Sequence, residues 1–429
     1  MRFLATLLCL FVVCSCGDGD HGHGSSSQKI TMGSGGFHGP LDDDDWFGFA
    51  VAPLGDFDND GDDDLVVGAG FDDDGGPDRG AVWLLMLDKD GKVTHENKIS
   101  DTAGDFGGGL SDGDIFGRSI ASLGDLDGDG VTDLAVGSRQ DDDGGLDRGA
   151  IWILFLNRNA TVKSYQKISS TSGGFDGELS DGDWFGISVT SLGDLDGDGV
   201  VDLAAGAVFD DGGVVWILFL NDDGTVKSER RFAGKSIGAT GLFGESVAAI
   251  GDVDGDGVVD LAVGEIENND GGTEKGAVWI LFLDDDGSVD HEQKISATSG
   301  NFPDALTEFE HLGAAVGEAG DFDRDGTPDL LIGADLDDDG GTNRGAVWLA
   351  SLRHDGTVKS TIKISDASGG FALHLQDEDR FGRSVAKIGS GRHETLVNLA
   401  VGTIFDDDGG SDRGAVWNLF VDTRDDVAQ

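Results

Sequence analysis

Aspartate is the residue whose spacing most directly suggests chemistry in this chain. Five segments share the pattern D-x-D-x-D-G-x-x-D, which places four carboxylates within nine residues and a glycine at the sixth position. Like charges this close repel one another unless a cation offsets them. Carboxylates together with a backbone carbonyl at position 7 form an oxygen ligand set that suits Ca²⁺, whereas Mg²⁺ retains more water. The pattern therefore predicts about five calcium ions, one for each loop.

We call these segments acidic loops one to five, and each offers the same candidate ligands. In every loop these are the aspartates and the residue that supplies the carbonyl at position 7. They are Asp56, Asp58, Asp60, Asp62 and Asp64; Asp125, Asp127, Asp129, Val131 and Asp133; Asp194, Asp196, Asp198, Val200 and Asp202; Asp252, Asp254, Asp256, Val258 and Asp260; and Asp321, Asp323, Asp325, Thr327 and Asp329.

Two other structures, an EF-hand and a plain acidic turn, also place aspartates at short spacing. An EF-hand requires Glu at position 12, where the first two loops carry Val67 and Val136, and it requires helical flanks. A plain acidic turn would not need five matched copies.

A sixth segment, 390–398, aligns with the loops but carries Arg392 and Glu394 at positions 3 and 5. We predict no calcium there, with a guanidinium at the place of the ion.

The loops recur because the whole chain is a repeat. Each unit begins near 46, 115, 184, 242, 311 or 380, and its lead residue is usually Phe followed by Gly. The spacings between successive lead residues are 69, 69, 58, 69 and 69 residues. The lead residues are Phe47, Phe116, Phe185, Phe243, Leu312 and Phe381.

Each unit contains four strand-like runs bounded by Gly and Asp, which predicts an all-β chain. In the second unit the runs are 119–124, 133–138, 149–156 and 162–169. Four strands per unit, repeated around an axis, predict a β-propeller of six four-stranded blades, with seven as the alternative. Ile30 stands 17 residues before Phe47, as the last strand of other units does before its next lead residue. We therefore expect the N-terminal strand to complete the last blade and close the ring.

Aromatic residues recur at two fixed positions of the unit. They could form a carbohydrate platform, but one aromatic at a constant strand position in each blade favours packing between sheets. The repeated residues are Trp83, Trp152, Trp216, Trp279, Trp348 and Trp417 in the third strands, and Phe37, Phe106, Phe175, Phe302 and Phe371 before the lead positions.

Composition limits the partners and suggests the compartment. With 83 acidic against 29 basic residues, the formal charge of −54 excludes nucleic acid and disfavours an anionic membrane surface. Residues 1–16 have the form of a signal peptide and 17–27 of a flexible linker, followed by one domain over 28–429. All three cysteines lie in the leader, and Cys16 is a candidate lipidation site, with simple cleavage as the alternative. We expect an exported protein, either secreted or lipid-anchored at the cell surface.

The second and fourth connections of each unit should lie at the end opposite the acidic loops, and they are acidic too. The second connection reads FDDDGGPDRG at 71–80 and has relatives in the other units. In one interpretation Arg79, Arg148, Arg344 and Arg413 pair with nearby Asp; in the other, this face receives a ligand and holds further cations.

The Phe-Gly leads, the DxDxDGxxD loops and the following VGAG (67–70) and IGAD (332–335) resemble FG-GAP repeats of integrin alpha subunits and related bacterial surface proteins. The match covers about 28–421. The resemblance implies a propeller with calcium held in hairpin loops on one face. Integrin propellers have seven blades, whereas the register here supports six.

Three classes of function follow, of which the first is favoured. It is an extracellular adhesion or ligand-binding module with a protein or glycan partner, acting as a monomer. A Ca²⁺-dependent hydrolase or lyase is the second class, although the histidines share no register and no catalytic residue is identified. A matrix protein assembled through calcium is the third.

Overall fold

The computed structural model describes residues 25–303, 306–390 and 396–422. The predicted signal peptide, Cys16 and most of the linker lie outside the described residues. The strands are β1 Ser26–Ile30, β2 Phe47–Gly55, β3 Asp64–Ala69, β4 Ala81–Leu87, β5 Val93–Ser100, β6 Phe116–Gly124, β7 Asp133–Ser138, β8 Ala150–Leu156, β9 Val162–Ile168, β10 Val189–Gly193, β11 Asp202–Ala207, β12 Val214–Leu220, β13 Val226–Ala233, β14 Phe243–Ala249, β15 Leu261–Glu265, β16 Ala277–Leu283, β17 Val289–Ser296, β18 Leu312–Gly320, β19 Asp329–Ala334, β20 Ala346–Leu352, β21 Val358–Ser365, β22 Phe381–Ser390, β23 Leu396–Thr403 and β24 Ala415–Asp422.

These strands form six antiparallel four-stranded sheets, which confirms the six-bladed propeller and rules out the seven-bladed alternative. Five blades take their strands in sequence order, from β2-β3-β4-β5 to β18-β19-β20-β21. The first strand of each blade is innermost and lines a central channel. A 3-10 turn at Gly234–Ile237 replaces the longer fourth connection in the third unit. Among the described residues, no helix has the length and apolar character needed to cross a membrane.

The sixth blade is closed by the N-terminal strand, as predicted. Its strand order is β1-β24-β23-β22, and β1 pairs with β24 from Ser26↔Phe420 to Ile30↔Val416. The side chain of Ile30 is fully buried. Closure pairs the outer edge of the last blade and couples the two ends of the chain, so that no blade is left open.

The repeated aromatics pack between blades rather than forming a surface platform. Phe37 stacks on Phe47 with ring centroids 4.9 Å apart and meets Trp83 edge-on at 5.1 Å. The six Trp side chains of the third strands are only 3% to 6% exposed. A Lys or Arg of the fourth strand lies over each Trp ring, as Lys98 does over Trp83 at 5.4 Å. The packing interpretation of these aromatics is confirmed.

The Phe-Gly lead follows from how closely neighbouring blades approach. Gly117 has a φ of 90°, and a Cβ atom there would overlap the carbonyl oxygen of Ala81 in the preceding blade. A Cβ atom at Gly68 would in turn overlap the carbonyl oxygen of Gly117. Only glycine fits at both positions, because backbone meets backbone without room for a side chain.

The antiparallel order divides the connections between two ends of the ring. The first and third turns of each blade lie at one end, which we call the loop end because it carries the acidic loops. There the His354 Nδ1 atom of a third turn lies 2.8 Å from the carbonyl oxygen of Val253 in acidic loop four. The second and fourth connections lie at the other end, which we call the connection end.

Candidate metal centres

Each acidic loop brings three carboxylates together in space. In every cluster the three ligand atoms lie within 4.8 Å of one another, which is close enough to share one ion. The first four clusters use positions 1, 3 and 9 of the loop, and the fifth uses positions 1, 3 and 5. They are Asp56, Asp58 and Asp64; Asp125, Asp127 and Asp133; Asp194, Asp196 and Asp202; Asp252, Asp254 and Asp260; and Asp321, Asp323 and Asp325.

Turns made by the aspartates themselves fold the loop into this shape. In acidic loop two, the Asp125 carboxylate accepts a 2.8 Å hydrogen bond from the N–H of Gly130. The Asp127 carboxylate accepts one from the N–H of Asp129 at 3.2 Å, and Asp129 accepts one from the N–H of Val131 at 3.0 Å. Short side chains that bond the backbone two residues on favour such turns. Each carboxylate keeps lone pairs that can bind a cation.

The aspartate at position 9 has a second task that the sequence pattern did not reveal. Asp133 is 1% exposed, and its two oxygens accept 3.0 Å hydrogen bonds from the N–H groups of Leu126 and Leu156. It thereby ties the loop to the end of the third strand. The same pair of bonds recurs at Asp64, Asp202, Asp260 and Asp329.

Burial of these anchors affects their protonation. Desolvation raises the pKa of Asp133 to about 6, although the two backbone hydrogen bonds act in the opposite direction. The pKa of Asp329 rises to about 7 for the same reason. A nearby divalent cation favours the ionised form of such a group. A bound cation would therefore keep these anchors ionised at neutral pH.

In three of the acidic loops a lysine contacts two of the aspartates, which the sequence analysis did not predict. The Nζ atom of Lys359 lies 2.8 Å from Asp323 and 2.6 Å from Asp325. Lys163 and Lys227 contact acidic loops two and three in the same way. All three follow the valine that begins a fourth strand, so the repeated Val-Lys dipeptide was the available signal. In the first and fourth units Thr94 and Asp290 take that place.

The structure brings carboxylates of each loop together, but the ligand roles of all the loop residues stay predictions. The ligand role of the carbonyl groups at position 7 also stays a prediction, and Val131 packs its side chain into the core. In the sixth segment, Arg392 and Glu394 lie outside the described residues. Asn398 replaces the position-9 aspartate, and its buried Oδ1 atom has no hydrogen-bond partner among the described residues.

At the connection end, the geometry agrees with the ion-pairing interpretation. The Arg79 guanidinium donates to Asp112 at 2.8 Å and to Asp101 at 2.7 Å. Lys98 lies 2.6 Å from Asp72 and 2.8 Å from Asp74. Equivalent Arg pairs are Arg148 with Asp181, Arg344 with Asp366 and Asp377, and Arg413 with Asp43. In the part of the chain that the structure describes, these connections contain no three-carboxylate cluster like those of the acidic loops.

Comparisons with known proteins agree with the repeat. The FG-GAP repeat family matches residues 47–85, 116–154 and 315–349, and the FG-GAP-like repeat family matches 194–263. Each match includes an acidic loop or the strands that flank one.

Integrin alpha chains are among the similar curated proteins. Integrin alpha-3 of Cricetulus griseus is 31% identical over 198 residues, which cover 44% of this chain and 17% of the relative. Integrin alpha-PS2 of Drosophila melanogaster is 32% identical over 239 residues, 52% of this chain and 15% of the relative. Human integrin alpha-7 is 33% identical over 194 residues, 44% of this chain and 15% of the relative. The chain thus matches only about a sixth of the length of these relatives. The repeats, the six-bladed ring and the relatives together identify the chain as an FG-GAP-repeat β-propeller similar to that of integrin alpha chains.

Proposed function

We propose that this protein is an exported, calcium-binding β-propeller that serves as a ligand-binding or adhesion module outside the cell. The observation that carries the proposal is the fivefold repetition of a three-carboxylate cluster at one end of the ring. The likeness to integrin alpha chains supports it, although the match spans a small part of those proteins. Fold alone does not fix function, so the ligand must be argued from a surface.

Calcium is favoured because the clusters offer only oxygen ligands on short, exposed loops. Harder and smaller Mg²⁺ prefers fewer protein ligands, and zinc prefers His and Cys, which the acidic loops lack. The described domain has no cysteine. Bound cations would therefore serve as cross-links that hold the first two strands of five blades together, in the place that disulfides take in many exported proteins.

The ligand surface is proposed to be the connection end. The described residues include four exposed large hydrophobic side chains, and three of them lie there: Leu146 at 63%, Phe209 at 47% and Phe309 at 49% exposed. Phe209 sits against Trp184, with ring centroids 4.7 Å apart. Exposed aromatics beside acidic connections suit an extracellular protein or a glycan, because sugars and apolar side chains both pack on aromatic faces.

Metal binding is tested by stoichiometry and thermal unfolding. We expect about five Ca²⁺ per chain by elemental analysis, and a higher Tm in Ca²⁺ than in EDTA. The double variant Asp125→Asn and Asp127→Asn should lose one ion, whereas the exposed control Glu292→Gln should lose none. Fewer than three ions, or a Tm that EDTA does not change, would contradict the metal assignment.

Ligand binding is tested on protein and glycan arrays in Ca²⁺. We expect binding that weakens in Phe209→Ser and Phe309→Ser. Tyr165→Ser is the matched control, because Tyr165 is an exposed aromatic (42%) on the fourth strand of a blade rather than in a connection. Absence of any ligand for the calcium-loaded chain would contradict the binding-module proposal, and equal loss in all three variants would place the surface elsewhere.

A further inference from the structure

The central channel contains a cavity of about 590 Å³. Its walls are the innermost strands of all six blades, with small and apolar residues such as Ala121, Val247 and Val385. The lining continues to Ser122 and Ser191, at the loop ends of those strands. Each innermost strand is also the edge of its sheet. The N–H and C=O groups on its outer side are not paired within the sheet and therefore face the axis. A cavity of this size matches those that bind small molecules.

The deep end of the cavity is a ring of six residues, each the second after a lead position. Three of them are apolar and three are charged, although they occupy the same position of the repeat. The ring consists of Phe49, Arg118, Ile187, Glu245, Ala314 and Arg383. Arg118 and Arg383 both donate a 2.7 Å hydrogen bond to the same oxygen, Oε1 of Glu245. We call this ring the channel floor.

The floor carries more positive than negative charge. Arg139 lies behind it, 5.8 Å from the centre of the Phe49 ring, while Arg118 and Arg383 lie 4.6 Å and 5.4 Å from the same ring. Three guanidinium groups therefore surround one aromatic ring, and the buried carboxylates near them are those of Glu245 and of Asp335, which interacts with Arg383. This excess of positive charge is buried in a chain whose formal charge is −54.

Arg118 lacks the partners that a buried guanidinium needs. Its side chain is 6% exposed, and its Nε atom has no hydrogen-bond acceptor among the described residues. Burial and the nearby Arg383 lower the pKa of Arg118 well below its usual value. Burial alone would raise the pKa of Glu245, but the two guanidiniums outweigh it and lower that pKa. A second anion at the floor would relieve both the charge excess and the unmet donor.

Apolar side chains pack behind Phe49 at the connection end, and we infer that a ligand enters from the loop end. Phe49 packs with Ile115 and Ile404 directly behind the floor, and Trp46 and Phe405 cover them. At the loop end, by contrast, Glu318 is exposed and Lys387 is half-buried at the rim.

We propose that the central channel is a binding site for a small organic carboxylate, which enters from the loop end and places its carboxylate on Arg118 at the floor. A guanidinium presents parallel N–H donors that match a planar carboxylate, and the pair gains strength where water is excluded. The small and apolar walls accept a narrow hydrocarbon or aromatic body behind the charged group. Glu245 fixes the two arginines and competes with the ligand for them.

The proposal is tested by calorimetry on the full chain at constant Ca²⁺ and ionic strength, with benzoate as the probe. We expect saturable binding of one benzoate, and at least about tenfold weaker binding of the neutral isostere benzamide. Arg118→Gln should weaken benzoate at least about tenfold, whereas the exposed control Arg230→Gln should not. Glu245→Gln should have the opposite effect and tighten benzoate, because it removes the competing carboxylate.

A crystal of the unaltered chain soaked in 4-bromobenzoate provides a measurement that needs no variant to fold. We expect the carboxylate within hydrogen-bonding distance of Arg118 and the bromine nearer the loop end. Absence of benzoate binding, equal binding of benzamide, or bromine density only outside the channel would overturn the proposal. Binding of sulfate or chloride at the floor without any carboxylate would overturn the assignment of the ligand class.

Discussion

The Nζ atom of Lys163 lies 2.7 Å from the Oδ2 atom of Asp127, at the centre of acidic loop two. It also lies 2.5 Å from Asp129, so one ammonium group bridges positions 3 and 5 of the loop. These hydrogen bonds raise the pKa of Lys163, which therefore stays charged at neutral pH. A protonated lysine and a calcium ion compete for the same carboxylates. The five loops are thus not equivalent, because among the described residues no lysine contacts loops one and four in this way.

We predict that Lys163→Met tightens calcium binding at loop two by roughly twofold to fivefold, the range expected from removing one exposed competing ion pair. Calcium titration followed by calorimetry measures this change. Lys235→Met is the matched control, since Lys235 is an exposed lysine paired with Asp211 at the connection end. Weaker calcium binding in Lys163→Met would show instead that the lysine shapes the loop.

A second prediction separates the anchoring role of position 9 from its role as a ligand. Asp133→Asn keeps the size of the side chain but replaces one of two oxygens that accept buried N–H groups. In EDTA we expect it to lower the free energy of unfolding by about 1 to 3 kcal/mol. Asp129→Asn is the matched control. Asp129 is exposed, and the side-chain oxygen of an asparagine there can still accept the hydrogen bond from the N–H of Val131.

Chemical denaturation with and without Ca²⁺ checks this pair of variants. In EDTA only Asp133→Asn should be destabilised, whereas in Ca²⁺ both should lose part of the calcium-dependent stabilisation. Equal stability of the two variants in EDTA would mean that the bonds from Leu126 and Leu156 contribute little.

The sequence predicted the blades, their number and the closing strand because each rests on a local pattern repeated six times. The acidic loops were predictable for the same reason. Arg118, Glu245 and Arg383 were not, because 127 and 138 residues separate the paired side chains and their types differ from blade to blade. Only the closed ring brings residues of equal register face to face across the axis. The anchor bonds of Asp133 could not be predicted, because the sequence pattern is the same whether a repeated aspartate binds a metal ion or backbone N–H groups.

A third prediction concerns pH and uses a buried acid outside the acidic loops. The Asp114 carboxylate accepts a 2.8 Å hydrogen bond from the N–H of Ser111 at the connection end. Burial raises the pKa of Asp114 to about 7, and the neighbouring Asp141 acts in the same direction. In the unfolded chain the pKa of an aspartate is about 4. Between these values the folded chain binds more protons, so its stability falls as pH rises from about 4 to 7.

We therefore expect the free energy of unfolding in EDTA to be larger at pH 5.5 than at pH 7.5. Asp114→Asn should reduce the slope by up to about 1.4 kcal/mol per pH unit, the value for one proton. The exposed Asp176→Asn should leave the slope unchanged. Equal slopes for Asp114→Asn and the unaltered chain would show that Asp114 stays ionised in the folded protein.

The closing strand supports a fourth prediction, which compares two isoleucines at the same register. Ile30 on β1 and Ile99 on β5 are both fully buried. They differ in that β1 is far in sequence from the other three strands of its blade, whereas β5 directly follows the strand with which it pairs. Truncating a buried isoleucine to alanine lowers the free energy of unfolding by about 2 to 5 kcal/mol. If β1 is as firmly packed as an internal strand, Ile30→Ala and Ile99→Ala should be destabilised equally in denaturant titrations. A much smaller loss in Ile30→Ala would mean that the ring opens at β1 before the blades unfold, and that variant should then also associate through the exposed edge of β24.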